Sequence, residues 1–143
     1  MRKKALASFE ILKRHIIPAN WVGNPLFLNS LDFEQDKVEP LHVVFDKTDT
    51  KGSMKIIDEF IVFNKKLLAL GVMDKSFNIT KNYGLADSGA IVLIDIGELF
   101  DDSEQIQKQL IDRAWGKEYV AGCIQNEEVR KYFVQKMDEN FGL

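Results

Sequence analysis

Three observations in this 143-residue chain predict an α+β fold, mainly helical, with a small antiparallel β-hairpin. Long stretches carry apolar residues at spacings of three and four, as helices with one buried face require. Two short apolar runs, Tyr83–Leu85 and Ile91–Ile94, flank an Asp87-Ser88-Gly89 turn. Apolar residues make up 45% of the chain, enough for a real core, and the length suits one domain spanning residues 1–143.

The elements follow in order. Residues 3–16 read as a helix with Leu6, Phe9, Leu12 and Ile16 as its stripe, stopped by Pro18. Residues 18–40 hold three prolines and Gly23 around Trp21, Val22, Leu26, Phe27 and Leu28, which predicts an irregular but partly packed connector. Leu41–Phe45 suits a strand and Asp46–Gly52 a polar turn. Residues 1–50 thus form an N-terminal helix, connector and short strand, and residues 53–143 the main helical part. Ser53–Leu70 is a helix whose buried face is Ile57, Phe60, Ile61, Asn64, Leu67 and Leu68. Ser53 is its N-cap, with Asp49 and Thr50 as rivals if the helix starts earlier. Gly71 supplies the left-handed residue that ends it. Residues 72–82 form a polar loop, and the hairpin comes next. Ser103–Trp115 is a helix capped by Ser103, with Asp101, Asp102 and Glu104 matching its dipole. Asn126–Glu139 is the last helix, burying Val129, Phe133, Val134 and Met137.

Net charge is -3 and the pI about 5.4, so no positive field recommends a nucleic acid or an anionic membrane. No run reaches the ~18 apolar residues of a membrane span. The N-terminus lacks the apolar core of a signal peptide. Cys123 is the sole cysteine, which rules out internal disulfides and a thiolate-rich zinc site and reads as a small buried hydrophobe. A cytoplasmic protein is expected.

Chemistry-bearing residues concentrate in residues 82–97, KNYGLADSGAIVLIDIG counted from Lys81. Asn82 and Asp95 lie thirteen positions apart across the hairpin, so its closure would set an amide beside a carboxylate. The order of helix, Gly71-Val72, loop ending in Asn82, hairpin and Asp95-Ile96-Gly97 resembles the heart of the protein-kinase C-lobe. The string KNYGL is similar to the catalytic loop of the HipA-type branch and to kinase-like proteins of intracellular bacteria. The resemblance spans roughly a third of the chain. It implies a reduced kinase C-lobe. It also implies a site in which Asp95 and Asn82 bind magnesium against the phosphates of ATP, while Gly97 lets the backbone turn after the acid.

The chain departs from that pattern in several ways. Where kinases carry the catalytic Asp, five residues before the Asn, this chain has Phe77. The nearest acid is Asp74, the candidate catalytic residue, with Ser76 where a second acid is expected in the bacterial group. There is also no Gly-rich loop and no Val-Ala-x-Lys strand, so the nucleotide lobe is missing. The plain readings are a turn or cap role for Asn82, a strand-end carboxylate for Asp95 and a solvated loop acid for Asp74. Three functions follow in order: a non-catalytic kinase-like domain acting through a protein partner or self-association, a magnesium–ATP phosphotransferase half needing a separate N-lobe, and an unrelated helical interaction domain.

Overall fold

The computed structural model describes residues 10–23, 26–27, 33–34, 38–94 and 99–142, and of 26–27 and 33–34 the backbone alone. Asp95, Gly97, Leu6, Phe9 and Leu28 therefore lie outside the described residues. The helices are α1 (residues 10–14), α2 (Leu41–Lys47), α3 (Thr50–Ala69), α4 (Ile79–Asn82), α5 (Ser103–Ile111) and α6 (Glu127–Phe141). The strands are β1 (Leu26–Phe27), β2 (Phe33–Glu34), β3 (Glu39–Pro40), β4 (Met73–Asp74), β5 (Tyr83–Leu85), β6 (Ile91–Leu93) and β7 (Leu99–Phe100). Among the described residues all pairings are antiparallel: β1 with β2, β4 with β7, and a three-stranded sheet ordered β3-β5-β6. The fold is α+β and mainly helical.

The core is built on α3. Its face at Ile57, Phe60, Ile61, Asn64 and Leu67 is buried, as the helical spacing predicts. α6 packs across it through Phe133, whose ring lies 6.0 Å from Phe60, and buries Val129, Met137 and Phe141 as well. α3 ends in a two-bond cap: Val72 N–H donates to Leu67 O and Gly71 N–H to Leu68 O, with Gly71 at φ +84°. Val72 and Leu67, the apolar pair that accompanies this cap, are both fully buried.

Several sequence expectations are corrected. Leu41–Phe45 is helical, because Leu41 and Val44 are buried while His42 and Val43 face out, a helical period too short to recognise in five residues. The Asp46–Gly52 turn shrinks to Thr48 and Asp49, and Asp49 caps α3 by accepting Gly52 N–H at 2.7 Å, while Ser53 is buried inside the helix. Asp102, not Ser103, caps α5, accepting Gln105 N–H at 3.0 Å. α5 stops at Ile111 because Arg113 turns left-handed at φ +52°, and a 3₁₀ turn carries Trp115 into the core. Ile16, expected in the first helix's stripe, is 85% exposed: the chain turns left-handed there at φ +53°, and Ile17 takes the buried place. The connector is less irregular than expected, since it contains a 3₁₀ turn over Ala19–Val22 and the β1–β2 pair. Cys123 is only partly buried, with its thiol donating to Tyr119 O at 3.2 Å.

Candidate functional site

The segment 72–82 is the largest departure from expectation. Read as a polar loop, it is instead buried at Val72, Met73, Asp74, Phe77, Asn78, Ile79, Thr80 and Asn82. Its polar side chains are satisfied mainly by one another, which is how an interior accepts them. Thr80 Oγ1 donates to Asn78 Oδ1 at 3.1 Å, and Asn78 Nδ2 reaches Tyr119 O at 3.3 Å. Asn82 Nδ2 donates to Asp74 Oδ1 at 3.3 Å and makes a long 3.5 Å contact to Ser76 Oγ. His42, expected in a strand, sits on α2 with its Nδ1 at 3.3 Å from Thr80 O.

Asp74 is not a solvated loop acid: its relative exposure is 0%. β4 places it there, pairing Asp74 with Leu99 and Met73 with Phe100. A second arm of the network comes from α3. Tyr83 OH donates to Asn64 Oδ1 at 3.1 Å, and Asn64 Nδ2 donates to Phe60 O at 3.1 Å. Burial first, and then the negative charge of Asp74, push the Tyr83 phenol well above its ordinary pKa. The phenol therefore stays protonated and acts as a donor. Its ring is fixed edge-on by Phe60 at 4.7 Å and Phe63 at 5.8 Å. Asn64, an amide in an otherwise apolar helical stripe, was the sequence signal for this buried arm; nothing in the sequence pointed to Tyr83 as its partner.

The hairpin closes as its turn residues require. Tyr83 pairs with Leu93, Gly84 with Val92 and Leu85 with Ile91. Gly89 takes the left-handed position at φ +89°, and Ala86 N–H bonds Ala90 O at 3.0 Å. Pairing continues past the strands, since Ile94 N–H donates to Asn82 O at 2.8 Å. The chain therefore leaves Asn82's side at Ile94 and rejoins the site at Leu99, opposite Asp74. Asp95 and Gly97 belong to the stretch between these two points and lie outside the described residues.

Phe77 lies five residues before Asn82, in the same buried segment. It is fully buried, at φ +55°, with Trp115 edge-on at 5.8 Å and Phe141 at 5.3 Å. A bulky residue held at positive φ is strained by about 1–3 kcal/mol, and the aromatic packing holds it there.

Among the described residues no three His, Cys, Asp or Glu side chains converge as a metal site would need. Asn82 and Asp74 do come together, but the amide is turned toward the carboxylate by its nitrogen. Magnesium wants six oxygens in near-octahedral order, and these two side chains alone do not supply that set. No helix among the described residues is long and apolar enough to cross a membrane. No protein-family model matches this chain, and no curated protein matches it.

Proposed function

We propose that this chain is a kinase-like C-lobe scaffold that performs no phosphoryl transfer and works by binding protein. The order α3, β4, buried loop ending in Asn82, and β5–β6 hairpin supports the scaffold part of the reading. The observation that carries the non-catalytic part is Phe77. In the place of a catalytic carboxylate stands a ring that is a core component, wedged between Trp115 and Phe141. Asp74, the nearest acid, is fully buried and held by Asn82, so it presents no carboxylate to a substrate hydroxyl.

The test is incubation of pure protein with radiolabelled ATP and magnesium. The expected result is neither hydrolysis nor autophosphorylation, and only a small shift of melting temperature with magnesium and ATP. Phosphate transfer that disappears in Asp95→Ala would overturn the reading and favour a phosphotransferase half.

A further inference from the structure

One groove runs along α3 between the Ala19–Val22 turn and the hairpin turn. Trp21, Phe63 and Ile91 line it, and Glu59, Val62 and Lys66 form its α3 rim. Trp21 and Phe63 pack on each other at 5.8 Å. Beside them Val62 stands 52% exposed in the middle of the longest helix, where a polar residue would cost nothing. Glu59 and Lys66 are exposed on either side of it, and among the described residues neither enters an ion pair.

We infer that this face binds a second copy of the chain through an antiparallel, two-fold contact between α3 helices. The inference rests on the reading of the chain as an interaction module and supplies its partner. The charge pattern selects a second copy over an unrelated protein because it is self-complementary. Glu59 and Lys66 are seven residues, or about two helical turns, apart on one face. A two-fold axis crossing α3 between Val62 and Phe63 reverses the second helix. It sets Glu59 against Lys66 of the partner subunit, and Lys66 against Glu59 of the partner subunit. Each projecting Val62 then enters the groove beside the other copy's α3, covering apolar surface that a lone chain leaves wet. Two oppositely charged pairs at the rim set the register and exclude the parallel arrangement, in which like charges would meet.

Sedimentation of the full chain over a dilution series, at low and high salt, tests this. A reversible dimer that weakens with salt is expected. Glu59→Lys and Lys66→Glu should each weaken it about tenfold or more, because each change turns both pairs into like charges. Mixing the two variants should restore association, since a mixed dimer carries opposite charges at both pairs. Val62→Asp should abolish it. All three positions are exposed, so circular dichroism should show the folded spectrum throughout. A wild-type chain that stays monomeric at the highest concentration overturns the inference. A dimer indifferent to all three substitutions, or mixing that restores nothing, overturns it too. The measurement reads mass and not phosphate, so loss of the dimer leaves the non-catalytic reading standing, and phosphate transfer would leave the dimer standing.

Discussion

Asn82 Nδ2 donates to Asp74 Oδ1 at 3.3 Å, joining two buried residues eight positions apart in the segment 72–82. This bond closes the segment on itself and aligns β4 with the start of β5. It also sets which way the Asn82 amide faces, its nitrogen turned toward the Asp74 carboxyl oxygen.

Asp74→Ala is expected to destabilise the protein by about 1–3 kcal/mol, since it strands the Asn82 amide in the interior. Asp74→Asn should cost less, because its carbonyl oxygen still accepts. Urea denaturation midpoints measure both. Equal midpoints for wild type and Asp74→Ala would mean that the bond does not hold the segment.

Phe77→Ala should cost about 3–5 kcal/mol, less whatever strain its positive φ releases. Phe77→Asp, which rewrites the position toward the kinase pattern, should be worse than alanine, because it places an acid between Trp115 and Phe141. It should unfold the chain without creating activity. Thermal melts of the two variants, with the ATP assay on any folded Phe77→Asp protein, decide this; phosphate transfer would refute it.

Stability should fall at alkaline pH through Tyr83. Its folded pKa is raised well above 10.0, by burial and then by Asp74, so the folded state keeps a proton that the unfolded state gives up. The contribution is fully present below the unfolded pKa of about 10 and is lost as pH rises toward the folded value. Tyr132, pushed up to about 12 first by its hydrogen bond to Asp58, acts with the same sign, so Tyr132→Phe is the proper background. In that background Tyr83→Phe should flatten the alkaline fall of melting temperature. An unchanged slope would mean that Tyr83 ionises freely in the fold.

Gly84→Ala should detach β3. A Cβ at Gly84 would lie 2.4 Å from Val38 Cγ2 and 3.0 Å from Glu39 O, inside the β3–β5 pairing. The valine methyl can rotate away, but the carbonyl cannot move without breaking the ladder. Amide exchange at Val38 and Glu39 should accelerate in this variant while α6 stays protected. Uniform exchange across the chain would show that β3 and the core open together.

The sequence alone determined α3, α6 and the hairpin. Each is written in residues within a turn or two of one another: the i, i+3, i+4 stripe from Ile57 to Leu67, Asn126 at the start of α6, and Gly89 in the turn. Gly71 as helix stop was legible for the same reason. Five apolar residues at Leu41–Phe45 were too few to separate helix from strand, and only the packing of Leu41 and Val44 chose. The segment 72–82 was illegible because hydropathy treats Asp74, Asn78, Thr80 and Asn82 as groups that seek water. They seek hydrogen bonds, and the fold supplies these from residues as far away as Tyr119. The inward turn of Phe77 likewise depends on Trp115 and Phe141, which come long after it in the chain. A local pattern can announce an element. Whether a polar side chain is buried depends on partners that only the tertiary structure brings within bonding distance.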